Sequence, residues 1–214
     1  MRTPRITCLA LVLSLVFALG ACTQPKQPPL PVGSLKLGVA PFTQPLETGD
    51  LFAGYMTDEL PAIDQKIMGD LDIEFAEVLA QESSNSFVPV HSAAACHRQM
   101  ADLFAGKQAA LRKWSALGRC MGVDLLVVPQ VLEYRERDGG EYGVIKPAKV
   151  VMDTYVLDVN SESLLSRSRY DETQSSLSDN LLETGKFLKR GGKWVQASEL
   201  AREGMEKAVR ELGL

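Results

Sequence analysis

The sequence predicts an α+β fold: a mixed sheet, with an antiparallel three-strand meander, packed against helices in a single domain. Two observations carry this prediction. Apolar residues recur at helical spacing over about residues 66–81 and 107–121. The chain from 124 to 172 instead has three consecutive strand patterns separated by short turns. The composition, 45% hydrophobic and 23% charged over 214 residues, is that of an ordinary globular domain with a proper core.

The first half of the chain begins with a strand over 35–42, which Pro41 stops. Residues 43–66 contain two prolines and two glycines, and they predict a long, partly ordered excursion of a kind that is often functional. The helix that follows buries one stripe and turns its acidic residues outward, with Ile67, Leu71, Phe75, Val78 and Leu79 inside and Asp70, Asp72, Glu74 and Glu77 outside. Residues 86–90 form a short second strand.

The second half contains the meander. An irregular polar and alanine-rich segment with Cys96 leads to a helix over about 107–121. Strands are then predicted over 124–134, 141–158 and 163–172, with Pro147 near the start of the second. Alternation places Val150, Met152, Thr154 and Val156 on one face and Val151, Asp153, Tyr155 and Leu157 on the other. A short helix with Leu177, Leu181 and Leu182, a basic loop over 186–194 and a helix from Ser198 complete the chain.

The amino terminus has the order of a secretory signal: two arginines, an apolar run and small residues before a cysteine. Leu19-Gly-Ala-Cys22 resembles the lipobox of bacterial lipoproteins, which implies cleavage after residue 21 and lipid on Cys22. Residues 22–34 then form a lipidated, proline-rich tether. A transmembrane anchor is disfavoured, because about fourteen apolar residues span only about 21 Å as a helix against roughly 30 Å of hydrocarbon. A soluble periplasmic protein is the other alternative.

By resemblance to the sorting rule of enterobacterial lipoproteins, Thr23 after the lipidated cysteine favours the outer membrane, with the 35–214 domain in the periplasm of a Gram-negative bacterium. The precursor charge is −4, and loss of Arg2 and Arg5 leaves the mature chain near −6. Nucleic acid is therefore not an expected partner.

Two cysteines, Cys96 and Cys120, remain in the mature domain, and an oxidising compartment favours a disulfide between them. Such a bridge closes a loop of about 25 residues, which contributes roughly 3.5 kcal/mol of stability on the chain-entropy estimate. Two buried free thiols are the alternative.

The order of elements resembles the periplasmic α/β domain of curli-secretion lipoproteins (CsgG-type) and of penicillin-binding-protein activator lipoproteins. The segments that carry the resemblance are 37–42, 117–128, 155–159 and 194–205. The resemblance implies a periplasm-facing domain that contacts other envelope proteins. Membrane pores of the curli type need four alternating segments of about ten residues. Here only the meander strands alternate, and the core needs them, so a pore is not expected.

Few residues suggest chemistry. His91, Cys96 and His97 contain metal-ligand atoms, but three ligands so close on an irregular segment rarely complete a tetrahedral site, so no metal or cofactor is expected. The sequence has no G-x-S-x-G motif. A basic and aromatic cluster stands out on an acidic protein, and it is a candidate contact surface for an acidic partner or lipid phosphates: Lys186, Lys189, Arg190, Lys193 and Trp194. A simple connecting loop is the alternative. Reversing Lys189 and Arg190 to glutamate is expected to leave folding intact.

These features predict a membrane-anchored, non-catalytic binding or assembly component of the bacterial cell envelope. An envelope enzyme acting on peptidoglycan is one alternative, although no motif suggests it. Solute binding by the excursion is the other alternative.

Overall fold

A five-stranded mixed sheet forms the centre of the fold. The computed structural model describes residues 35–53, 60–105, 109–141, 143–174, 188 and 190–214. The strands are β1 (Leu37–Val39), β2 (Phe87–Val88), β3 (Leu125–Arg135), β4 (Asp138–Gly139), β5 (Val144–Lys146), β6 (Lys149–Asp158) and β7 (Ser163–Thr173). Their order in the main sheet is β2-β1-β3-β6-β7. The pairs β2–β1 and β1–β3 are parallel, and β3–β6 and β6–β7 are antiparallel, so the predicted mixed sheet with a three-strand meander is confirmed.

Helices cover both faces of this sheet. They are α1 (Gln65–Glu82), α2 (Val90–Gln99), α3 (Ala101–Ala105), α4 (Ala110–Met121) and α5 (Ala197–Leu212), with a 3-10 turn at Thr48–Asp50. On one face, α1 and α5 pack against the sheet and against each other. On the other face, α2 and α4 pack together over β1 and β3. Among the described residues, no helix is both long and apolar enough to cross a bilayer.

The two cores confirm the predicted alternation along β6. Val150, Met152 and Val156 lie in the core under α1 and α5. Tyr155 and Leu157 lie in the core under α2 and α4. Both faces of β6 are therefore buried, and the burial of apolar surface is the dominant favourable term in folding.

Two glycines allow helices to approach the sheet closely. A Cβ at Gly204 on α5 would lie 2.9 Å from the Met152 sulfur and from the ring of Tyr170. A Cβ at Gly118 on α4 would overlap a methyl group of Val159. Each glycine thus sets the distance between one helix and the sheet.

The outer part of the α2–α4 face is charged. Asp153 is 1% exposed and accepts hydrogen bonds from Arg167 at 3.0 and 2.9 Å and from Arg169 at 3.1 Å. The Arg167 guanidinium lies 5.6 Å from the centre of the Tyr155 ring. A buried carboxylate is tolerated when it is paired and hydrogen-bonded in this way.

Several predicted elements change in the structure. Residues 90–99 form the regular helix α2 rather than an irregular segment, because alanine has the highest helix propensity and Ala93 and Cys96 bury one face. The strand predicted over 141–158 is divided into β5 and β6 around Pro147, which cannot donate a ladder hydrogen bond. The predicted helix with Leu177, Leu181 and Leu182 lies outside the described residues.

The bounds of three other elements also differ. The first strand is three residues long rather than eight, although Ala40 still donates its N–H to Val127 at 2.9 Å. The second strand ends at Val88 because α2 begins at Val90. The last helix begins at Ala197 with a capping box between Gln196 and Glu199, one residue before the predicted start.

Candidate functional site

An apolar cleft lies along the β2 edge of the sheet and is the best-formed site among the described residues. Its volume is about 590 Å³. Helix α1 forms one wall, the first turns of α2 form the other, and β1 and β2 contribute the floor. The lining is Val39, Asp72, Ile73, Ala76, Leu79, Ala80, Asn85, Phe87, Pro89, Val90, His91 and Ala94. We call this site the edge cleft. A cleft of this size with few polar groups is typical of binding sites in proteins.

The local sequence explains why the cleft stays open. The strand β2 is two residues long and pairs with β1 on one side, and no strand of the described residues pairs with its other side. Pro89 turns the chain directly into α2, which rises beside the sheet. On α1, small alanines at 76 and 80 face the cleft. Ile73 at its wall is 63% exposed, so a large apolar side chain at this wall is accessible from solvent.

Asp72 is the carboxylate that lines the edge cleft. Its Oδ1 accepts a hydrogen bond from the Phe42 backbone N–H at 2.7 Å. Burial raises the pKa of Asp72 to about 6, although the hydrogen bond from Phe42 opposes this shift. The prediction that Asp72 faces away from the protein is therefore wrong in part: the side chain is half-buried at the end of β1. The cleft thus has a polar end at which burial favours the uncharged form of the carboxyl group.

The disulfide fixes the second wall of the edge cleft. Cys96 on α2 and Cys120 on α4 are bonded, with their Cα atoms 5.8 Å apart. Because α4 is anchored in the core through Trp114 and Leu117, the bridge holds α2 against the sheet. His91 is exposed at the start of the same helix, and His97 packs on Phe104 with ring centres 4.2 Å apart. Cys96 is consumed by the bridge, and the described residues contain no group of three histidine, cysteine or acidic side chains placed to hold a metal ion.

The structure does not present the predicted basic and aromatic cluster as one surface. Arg190 is turned inward: its side chain is 7% exposed and lies 2.6 and 2.8 Å from the two carboxylate oxygens of Glu203 and 3.2 Å from Glu172. It therefore ties the segment before α5 to β7 and α5, and its assignment to a contact surface is wrong. The effect of reversing Arg190 to glutamate stays a prediction, and the structure changes the expected result: three carboxylates would then meet, so we expect a loss of stability.

The other members of that cluster have different surroundings. Lys193 is partly exposed, with its ammonium 3.9 Å from Glu141. Trp194 is half-buried, and its backbone N–H donates to the Glu141 carbonyl at 2.8 Å. Lys186, Lys189 and the predicted lipidation site Cys22 lie outside the described residues, so their roles stay predictions.

Comparisons with known proteins identify similar folds only. The sequence matches no protein-family model and no curated protein. Among solved structures, the PelC dodecamer from Paraburkholderia phytofirmans is 13% identical, with 89% of this chain and 95% of that chain covered and a TM-score of 0.49. The lipoprotein GNA1162 from Neisseria meningitidis is 14% identical, with 74% and 99% covered and a TM-score of 0.38. The C-terminal domain of LpoB from Salmonella enterica is 10% identical, with 65% and 83% covered and a TM-score of 0.36.

At these identities and TM-scores the similarities carry no functional argument. The resemblance to curli-secretion lipoproteins that the sequence suggests stays a prediction.

The buried position of Arg190 generates the first prediction. Removing its side chain leaves Glu172 and Glu203 facing each other without their shared cation, so R190A should lower the free energy of unfolding by about 2 kcal/mol. The matched control K193A removes a partly exposed lysine and should change it by less than about 0.5 kcal/mol. Urea unfolding measures both. Equal unfolding midpoints for the two variants would contradict the internal role of Arg190.

The position of Asp72 generates the second prediction. The pKa of Asp72 is raised above its value in the unfolded chain, so the folded state binds the proton more tightly than the unfolded state does. Proton binding therefore stabilises the fold at low pH, and this contribution is lost as pH rises through about 6. D72N should therefore match the wild type near pH 4 and exceed it by about 1 kcal/mol at pH 7.5, after allowance for solvent screening. Thermal unfolding across this pH range measures the difference.

The control for this prediction is D70N, whose carboxylate is exposed and paired with Lys66. It should give no stability gain at pH 7.5. A stability difference between D72N and the wild type that is independent of pH would contradict the burial of Asp72.

Proposed function

We propose that this protein is a lipid-anchored, non-catalytic binding component of a bacterial cell envelope, held at the periplasmic face of the outer membrane. The lipobox-like sequence ending at Cys22 supports the anchor, and the proline-rich residues 23–34 support a tether between lipid and domain. The disulfide between Cys96 and Cys120 is in keeping with an oxidising compartment.

The edge cleft is the observation that carries the binding role. A concave, mostly apolar cleft with few polar groups is the usual form of a binding site in a protein. Here the cleft runs beside a strand that, within the described part of the chain, is paired on one side only. This arrangement suits an extended segment that adds to the sheet edge and places alternate side chains in the cleft. Pairing along two residues is short, so side chains rather than backbone would supply most of the affinity.

The charge near the cleft defines the partner further. Asp72 lines it, whereas Asp70 and Glu77, on the outer side of the same helix, already have Lys66 and Arg202 as ion-pair partners. The partner that fits is therefore an extended apolar segment of another envelope protein with one basic residue placed beside Asp72. Confinement by the lipid anchor would raise the effective concentration of the domain at the membrane, so a modest affinity would suffice.

The anchor is tested by C22S. This change removes the thiol that would receive the lipid, so palmitate labelling should disappear and the protein should leave the membrane fraction. The matched control is C8S, which changes a cysteine within the signal and should leave labelling and fractionation unchanged. Density-gradient separation of the membranes tests the outer-membrane location. A C22S protein that is still labelled and membrane-bound would contradict the lipid anchor.

The cleft is tested by I73D. A carboxylate at the apolar wall should reduce the yield of crosslinked envelope partners at least tenfold while the domain remains folded, because this side chain is already 63% exposed. The matched control is I145D, which places the same charge at a 78% exposed isoleucine on β5. Quantitative affinity purification after crosslinking in cells compares the variants with the wild type. Recovery of the same partners with I73D would exclude the edge cleft as the binding surface.

A further inference from the structure

The edge cleft begins where the chain enters the domain. Leu37 on β1 is level with Phe87 on β2, and the two strands are parallel. Leu35, two residues before Leu37, is therefore level with Asn85, which lines one end of the cleft. The described residues begin at Leu35, so the proline-rich residues 23–34 join the domain at this end of the cleft.

The length of the cleft matches a short extended segment of this tether. Ala80 lines the end near the tether, and Asp72 lines the other end, beside the end of β1. They are eight positions apart on α1, which corresponds to about 12 Å at a rise of 1.5 Å per residue. A proline-rich extended chain rises about 3.1 Å per residue, so the four steps from Leu30 back to Lys26 also span about 12 Å. Residues 31–34 supply the chain that turns back into the cleft.

The composition of the tether suits the apolar lining of the cleft. Pro28, Leu30 and Val32 are apolar at alternate positions, so they share one side of an extended segment. The prolines restrict the free chain, so the segment loses less conformational entropy when it binds. Proline donates no backbone hydrogen bond, but a strand of two residues offers few partners for one, and side chains supply most of the contact.

Lys26 supplies a cation for the polar end of the cleft. It is the one basic residue within 23–34. Burial raises the pKa of Asp72 to about 6, and among the described residues only the Phe42 N–H opposes this rise. An ammonium group beside Asp72 would favour the charged carboxylate and offset the cost of its burial. The charge of the tether thus complements the charge of the cleft.

We propose that residues 26–32 of the tether occupy the edge cleft when no partner is bound, with Leu30 near Ala80 and Lys26 beside Asp72. This inference rests on the proposed function, in which the cleft binds an extended apolar segment with a basic residue at Asp72. The tether has both features, and a short covalent connection gives an effective concentration on the order of millimolar. A partner must displace the tether, so the contact is autoinhibitory.

Displacement of the tether would change how far the domain reaches from the membrane. With Lys26 held in the cleft, four residues separate the domain from the predicted lipid on Cys22, about 12 Å of extended chain. With the tether free, residues 22–34 span about 40 Å. Binding of a partner would therefore release the anchored domain to act further into the periplasm.

Photocrosslinking in the full-length lipoprotein tests the contact. Benzoylphenylalanine in place of Leu30 should crosslink within one molecule to residues 73–80 or 87–91, as located by mass spectrometry. The matched control places it at Gln24, outside the docked segment, and should give at least fivefold less of this product. Absence of the product, or crosslinks from position 30 only to other surfaces, to lipid or to a second copy, overturns the proposal.

Charge substitutions test the pairing of Lys26 with Asp72. K26E should lower the crosslink from position 30 at least threefold, because two carboxylates would then meet. The matched control K36E reverses an exposed lysine directly before β1 and should leave the crosslink unchanged. In a D72N background, K26E should have less than half of its effect, because the pair is already absent. Equal losses in K26E and K36E would overturn this pairing.

Partner recovery separates this proposal from the proposed function. L30D should release the tether and raise the yield of crosslinked envelope partners at least twofold, whereas I73D should lower that yield. Unchanged or reduced recovery in L30D overturns autoinhibition, while the I73D result still decides whether partners use the cleft. Unchanged recovery in I73D overturns the partner site instead, and the crosslink from position 30 then decides separately whether the tether is docked.

Discussion

The antiparallel pairing of β3 with β6 is the constraint on which the rest of the structure depends. It runs from Leu125–Asp158 to Arg135–Lys149, with one irregularity between Val131 and Glu133. Because side chains alternate along both strands, this single register assigns each residue to the core under α1 and α5 or to the core under α2 and α4. A slip by one residue would exchange the two sets. The same register places Gln130 beside Asp153, in the charged part of the sheet.

Sequence periodicity predicts the elements whose buried residues recur at regular spacing. It fails where contacts that are distant in sequence determine the structure. The alternation in β6 and the apolar stripe of α1 come from local spacing, and both are confirmed. Sequence periodicity does not predict α2, because the apolar pattern of this segment is weak. The segment is helical in the structure, where Ala93 and Cys96 pack under α4. Helical spacing predicts an outward Asp72, and membership of a basic and aromatic cluster predicts a surface Arg190. Their burial depends on the Phe42 N–H, 30 residues away, and on Glu203, contacts that no local pattern contains.

The edge cleft lies where the regular structure stops. No described strand pairs with the outer side of β2, and α2 starts directly after its N-cap proline. An isoleucine among acidic residues on α1 is the one signal in the sequence that could have indicated the cleft.

The bridge between Cys96 and Cys120 has a consequence for how the protein matures. It joins α2, which forms a wall of the edge cleft, to α4, which is anchored in the core. One covalent bond therefore fixes that wall. A chain that has folded its sheet but not yet oxidised its thiols would have a core without the edge cleft in its final form. Acquisition of the disulfide would then be the step that completes this binding surface.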